Sequence, residues 1–312
     1  MIFFLVCCCA EALEFFILIE KDFGSRSPAM HNAAFEALDL PHRYGVLELA
    51  KAGGLDTLGS AASQELRSRF ADDNFGGASV TIPHKQLVIP FLDELTEAAS
   101  RIGAVNTVLP KTRDDGRRLL VGDNTDWLGV SVAIEKALDR RASEAASRRA
   151  LLVGSGGTAR AAAYALTDGA RSRGRRPYDL FVHARDPTRA EDLATAFGGA
   201  AIPILDDDDP HFHDLLEHGG FAVVVSTIPG DANFVLPSGA LDAKPVVLDA
   251  AYKPAETALL RQAKSSGATI AQGATMLVEQ GIAQFELWTS RQAPADLMRA
   301  AVFQGVPDLE TA

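Results

Sequence analysis

Residues 150–166, ALLVGSGGTARAAAYAL, constrain the fold more than any other stretch of the chain. An apolar run of strand length passes through a glycine-rich turn directly into an alanine-rich run of helix length. Such a junction meets the needs of a dinucleotide's pyrophosphate: a tight turn, close approach of bare backbone, and unpaired N–H groups at a helix N-terminus. Gly154, Gly156 and Gly157 supply the bare backbone, and Ser155 and Thr158 complete the turn. Ala159 stands where the usual fingerprint has its third glycine and is small enough to keep helix and strand close.

Around this junction, strand-like runs at 180–183, 222–226 and 246–248 alternate with helix-length segments. That alternation predicts a parallel, doubly wound sheet of the Rossmann type. The strand after the glycine turn ends in His183-Ala184-Arg185-Asp186, where a cofactor's adenosine ribose is expected. Arg185 can pair with a 2′-phosphate, whereas a carboxylate such as Asp186 favours the unmodified ribose. With Arg189 close by, the balance points to NADP and leaves NAD possible.

Upstream, 15–19, 44–49, 78–82, 104–109 and 119–122 read as strands, and 27–40, 92–101 and 128–140 as helices. Ser27 is placed to cap the first helix, with Pro28 in its first turn. A chain of 312 residues exceeds the size at which single cores stop growing, roughly 250 to 300 residues, so two domains are expected. The formal net charge of -11, without a basic stripe, argues against nucleic acid as a partner. Short arginine clusters at 140–141, 148–149 and 171–176 read as solvated edges. Consecutive Cys7-Cys8-Cys9 cannot form a disulfide framework or converge on one metal, so a reduced, cytoplasmic protein is expected. The apolar start at 1–19 is broken by Glu11 and Glu14 and lacks a preceding basic residue, which argues against an anchor or a secretory signal. Monomer and homodimer both stay open.

Three polar pieces lie ahead of the glycine turn: Ser25-Arg26-Ser27-Pro28, the run SVTIPHK ending in Lys85, and Gly122-Asp123-Asn124-Thr125-Asp126. Each alone is a helix start, a strand end or a turn. Taken in order with GAVNT, GSGGTARAA, VVSTIP, LDAAYKP and MLVEQGIAQFELWT, they make the chain from about Gly24 to Trp288 resemble the shikimate dehydrogenase family. The similarity is greatest to the domain that ends the fungal pentafunctional arom polypeptide. The resemblance implies two α/β domains with the active site in the cleft between them. It implies a substrate domain of residues 1–128 completed by helices in 277–312, and a nucleotide domain of 129–276. It also implies Lys85 and Asp126 as the catalytic pair. Ser25, Ser27, Thr81, Asn106, Tyr252 and Gln280 would contact the substrate, shikimate or 3-dehydroshikimate, and Gly273 the nicotinamide.

That pairing suits carbonyl reduction, because Lys85 can stabilise a developing oxyanion and relay a proton while Asp126 holds its ammonium. Two departures from the family pattern stand out. Gly24 occupies the place of a histidine before the paired serines, and Asp186 replaces a small hydroxyl residue. The resemblance also admits a quinate dehydrogenase using NAD, or a non-catalytic regulator that senses quinate or shikimate. Asp206 to Asp209 with His211, His213 and His218 reads as a solvated acidic loop, and no metal is expected. His84, alternating away from Lys85 on a strand, is given no catalytic role; His31, Phe285 and Trp288 read as structural.

Overall fold

In the computed structural model, residues 12–20, 24–49, 60–141 and 147–304 are described; the cysteine run Cys7 to Cys9 and Glu11 lie outside them. The first unit runs β1 (Glu14–Glu20), α1 (Ser27–Ala37), β2 (Arg43–Leu49), α2 (Ala61–Ala71), β3 (Phe75–Val80), α3 (His84–Leu87), β4 (Glu94–Leu95), α4 (Glu97–Ile102), β5 (Thr107–Thr112) and β6 (Arg118–Asp123). Helix α5 (Asp126–Asp139) leads into β7 (Arg149–Val153), α6 (Gly157–Leu166), α7 (Asp168–Ser172), β8 (Asp179–His183), α8 (Pro187–Ala196), β9 (Ala200–Ala201) and α9 (Pro210–Glu217). Then follow β10 (Val223–Ser226), β11 (Val246–Asp249), α10 (Ala258–Ser265), β12 (Thr269–Gln272), α11 (Gly273–Thr289) and α12 (Ala295–Phe303).

Two six-stranded sheets result, ordered β2-β1-β3-β5-β6-β4 and β12-β11-β10-β7-β8-β9. Every pairing in the second sheet is parallel. Counted from β7, its order is that of a doubly wound nucleotide-binding fold, with the reversal between β7 and β10. Strands β7, β10 and β11 are apolar almost throughout and buried, as a sheet covered on both faces demands. The chain therefore has the expected class: an α/β unit beside a Rossmann-type doubly wound unit. No helix among the described residues is long and apolar enough to cross a membrane.

The first sheet is mixed, because β5 and β6 form an antiparallel hairpin against β3. Helices α11 and α12 return to it. Their Val278, Phe285, Met298 and Val302 share a core with Phe15, Ile17 and Phe35 from β1 and α1. The Phe35 ring lies 5.1 Å from Phe15 and 5.5 Å from Phe285, and Trp288 lies 5.3 Å from Phe15. Phe285 and Trp288 are thus packing residues that fasten α11 to the first sheet.

The expected elements shift where tertiary contacts intervene. Strand β3 starts at Phe75 and runs through Gly76-Gly77, which sequence punctuation placed before the strand. A Cβ at Gly77 would lie 2.4 Å from the Trp288 indole, so the glycine marks close packing and no break. The helix expected over 92–101 starts only at Glu97, because Glu94 and Leu95 pair with β6 and Thr96 caps the turn at 3.2 Å from the Ala99 N–H. Helix α2 and strands β4, β9 and β12 were not expected.

Candidate active site

Lys85 lies on the single turn of α3, not at a strand end, because the chain leaves β3 at Val80 and bends through Thr81-Ile82-Pro83. His84 accordingly precedes it on a helix, and burial holds its imidazole below the ordinary histidine range. The Lys85 carbonyl accepts from Val105 N–H at 2.7 Å, fastening this turn to the segment before β5. Asp126 is the first residue of α5 rather than part of a turn, where its carboxylate faces the positive end of the helix. The two side chains form a buried ion pair, Lys85 being 8% and Asp126 4% exposed.

Asn106 locks this pair in place. Its amide faces Asp126 Oδ1 at 2.9 Å, Thr125 Oγ1 at 3.0 Å and Gln280 Oε1 at 3.1 Å. Two hydrogens shared among three acceptors keep the cluster compact. In return Asn106 Oδ1 accepts from the Thr125 N–H at 2.7 Å. Four elements therefore converge: α3, the start of β5, the start of α5, and α11 carrying Gln280. From the second unit, Thr158 Oγ1 accepts from Lys85 Nζ at 3.2 Å. The lysine thus bridges the two units.

Ser25 and Ser27 lie with their hydroxyls 3.2 Å apart. Ser27 does not cap α1; Arg26 holds the cap position without a side-chain bond, and Ser25 Oγ accepts from the Ser27 N–H at 3.1 Å. Tyr252 lies beside Ser25, and burial raises its phenol above the ordinary tyrosine range. Gly24 has φ +59, a conformation that side chains other than glycine rarely hold, and its carbonyl accepts from Lys253 Nζ at 3.3 Å. Thr81 sits just past β3, its N–H on the Leu18 carbonyl at 3.1 Å.

Three side chains that the sequence did not single out join these groups. Tyr44 donates to Ser79 Oγ at 2.5 Å, Ser79 donates to Gln284 Oε1 at 2.8 Å, and Gln284 donates to the Asn106 carbonyl at 3.0 Å. Tyr44 also lies beside Ser27. A single buried network therefore runs from Tyr44, beside Ser27, to Asn106. Gln284 had a signal: it follows Gln280 by one helical turn on the same face. Tyr44 and Ser79 had none beyond strand alternation.

The glycine turn opens at the carboxyl end of β7, beside β10. Gly154 has φ +122, and a Cβ there would lie 2.2 Å from Thr227 Oγ1. Gly156 caps α6 without a side-chain bond, and a Cβ there would meet open space. The open space at Gly156 lets a phosphate approach the backbone at the start of α6, which fits a pyrophosphate. Ser155 is half-buried beside them; Thr158 points to Lys85, and Ala159 is fully buried in the core against the sheet. Gly273 opens α11, where a Cβ would press on the Ala250 and Ala251 carbonyls.

Arg185 and Asp186 are both exposed after β8. The Asp186 carboxylate caps α8, accepting from the N–H groups of Thr188 at 3.0 Å and Arg189 at 3.4 Å. In the acidic loop, Asp209 caps α9 and Asp207 accepts from Ser238 and Gly239. Among the described residues no group of three or more His, Cys, Asp or Glu side chains could hold a metal ion.

Comparison with known proteins agrees with this arrangement. Residues 23–108 match the model of the shikimate dehydrogenase substrate binding domain, and residues 273–303 that of the shikimate 5'-dehydrogenase C-terminal domain. The dehydroquinate dehydratase and shikimate dehydrogenase structure from S. pombe AroM superposes at a TM-score of 0.73 with 33% identity, over 94% of this chain and 53% of that one. The chain thus spans about half the length of that relative. Shikimate 5-dehydrogenase from Thermus thermophilus, in complex with NADP(H) and shikimate, aligns at 0.71 with 31% identity, over 93% of this chain and 98% of its own. Quinate dehydrogenase from Corynebacterium glutamicum, in complex with NAD, aligns at 0.71 with 28% identity, over 93% and 98%. With its sheet order, its paired Lys85 and Asp126 and these alignments, the chain belongs to the shikimate dehydrogenase family, oxidoreductases that act on a CH–OH group.

Proposed function

We propose that the chain is an NADP-dependent shikimate dehydrogenase, interconverting 3-dehydroshikimate and shikimate. The observation that carries this reading is the buried Lys85–Asp126 pair in contact with the glycine turn through Thr158. An acid–base unit and a dinucleotide cradle meet there. In this reading residues 1–128, with the helices of 277–312, hold the substrate, and 129–276 hold the nucleotide.

A bound nicotinamide supplies the hydride for the ketone carbon. The protein's own task is the charge that develops on the ketone oxygen. Lys85 Nζ stabilises that oxygen and delivers a proton to it. Asp126 fixes the ammonium, and Asn106 fixes Asp126. Burial of the pair away from water strengthens its hold on a developing charge. Ser25 and Ser27 present paired hydroxyls to the substrate carboxylate, supported from behind by Tyr44 and Tyr252. Thr81, Asn106 and Gln280 meet the ring and its hydroxyls, while Gly273 lets the nicotinamide approach.

For the cofactor, Gly154, Ser155, Gly156, Gly157, Thr158 and Ala159 form the phosphate turn. Asp186 is engaged in capping α8, which leaves the Arg185 guanidinium for a 2′-phosphate. That favours NADP, the cofactor bound by the Thermus relative. The likeness to a quinate dehydrogenase holding NAD sustains a second reading, quinate with NAD.

Absorbance of the reduced nicotinamide, recorded with shikimate or quinate and NADP or NAD, decides between them. Turnover with shikimate and NADP is expected. Faster turnover with quinate and NAD would transfer the assignment to the second reading, and ligand binding without turnover would make the chain a sensor.

A further inference from the structure

A cavity of about 280 Å³ lies in the second unit, between α5, α6, α7 and the loop that enters β8. Its apolar floor comes from Ile134 and Leu138 of α5 and Ala165 and Leu166 of α6. It is not part of the cleft. It adjoins the C-terminal end of α6, roughly 12 Å along the helix from Thr158 at about 1.5 Å per residue. No residue of the proposed substrate or cofactor site lines it.

The walls carry an unusual charge for a protein of net charge -11. Arg148, Arg173, Arg175 and Arg176 surround the cavity, and Glu135 is the one carboxylate among its lining residues. Glu135 holds two of them, Arg173 at 2.9 Å and Arg175 at 3.0 Å. The other two pair with no carboxylate among the described residues. Arg148 lies over the Tyr178 ring at 4.3 Å and donates to the backbone carbonyls of Arg176 and Pro177, and the Arg176 side chain lines the same cavity. Two donors of the lining also lack a partner among the described residues. Arg148 Nε is buried without an acceptor, and Ser131, 8% exposed on the α5 wall, has a hydroxyl without a partner. Buried donors without acceptors are uncommon in folded proteins, and a cavity lined by two arginines without a carboxylate partner is matched by a doubly negative oxygen-rich group.

We propose that this cavity binds a small phosphate monoester, its dianionic head at Arg148 and Arg176 and its organic body on the apolar floor. The two uncompensated guanidiniums set the charge of the ligand, and the walls of Ile134, Leu138 and Tyr178 favour an organic ester over inorganic phosphate. Ser131 supplies a further hydrogen bond from the helix that begins at Asp126.

Phenyl phosphate is a suitable probe, titrated calorimetrically into the full-length protein, with inorganic phosphate and phenol as controls. Saturable binding is expected, tighter than for either control. Arg176→Gln and Arg148→Gln should each weaken it by about tenfold, the scale of one charge-assisted hydrogen bond. Arg117→Gln, in the exposed turn between β5 and β6 and outside the cavity, should leave it unchanged. Arg176 is exposed, so its substitution tests the site even if Arg148→Gln fails to fold. Absence of saturable binding, equal affinity in the Arg176 variant, or an equal loss in the Arg117 variant would overturn the proposal.

Discussion

Lys85 and Arg185 stand in opposite settings. Lys85 is 8% exposed, held by Asp126 and Thr158, and Asp126 is held in turn by Asn106. Arg185 is exposed, and its neighbour Asp186 serves the backbone of α8. The first setting is organised before any ligand arrives; the second presents a charge that only a ligand would order. In the proposed function, rate and selectivity therefore reside in different places. A preorganised pair lowers a barrier because little reorganisation is left for the reaction, whereas an exposed guanidinium adds affinity for one ligand over another.

Four substitutions test that contrast. Lys85→Ala should have the largest effect, lowering kcat by about 10²-fold or more, the usual scale for a positioned acid–base group. Near-normal turnover by nicotinamide absorbance would remove Lys85 from the chemistry. Asn106→Ala should come next, leaving Asp126 and Gln280 short of a donor. Thermal or denaturant unfolding should show a loss of about 1–3 kcal/mol, the cost of stranded buried polar groups, with kcat reduced alongside. An Asn106→Ala protein as stable and active as the parent would show that Asp126 needs no such support.

Arg185→Ala should act more gently and on one parameter. The KM for NADP is expected to rise about tenfold with kcat little changed, and the KM for NAD to stay constant. Equal effects on both cofactors would move the 2′-phosphate contact elsewhere. The smallest effect belongs to His31, fully buried and stacked on Tyr44 at 4.6 Å. Burial lowers its pKa from 6.5 to about 3, so the folded protein holds it neutral while the unfolded chain takes up a proton below about pH 6.5. Its contribution to stability is therefore complete above that value and declines as pH falls toward 3. His31→Asn should flatten the acid side of stability measured against pH, and an unchanged slope would remove His31 from the acid response.

Much of the second unit was legible locally. The strand, turn and helix of 150–166 occupy contiguous residues, and the apolar runs of β7, β10 and β11 mark a sheet buried on both faces. The first unit was harder to read. Gly76 and Gly77 look like a break, yet a Cβ at either would strike Phe15 or Trp288, and Trp288 lies far along the chain on α11. The mistaken placement of Lys85 on a strand has the same origin: the run SVTIPHK alternates well enough, and nothing local shows that β3 ends at Val80.

Residue order alone was enough for the doubly wound class, the glycine turn and, through the resemblance, the family. Each of these is written in neighbouring residues or in ordered short motifs. How those residues meet emerged only from the folded chain. Lys85 pairs with Asp126 across 41 positions, and Asn106 reaches Gln280 across 174. Folding also assigns Asp186 to a helix cap, and links Tyr44 through Ser79 and Gln284 to Asn106. Hydrogen bonds act over about 3 Å, so which groups form them depends on how two sheets and a returning helix pack, and that packing sums contacts from the whole chain.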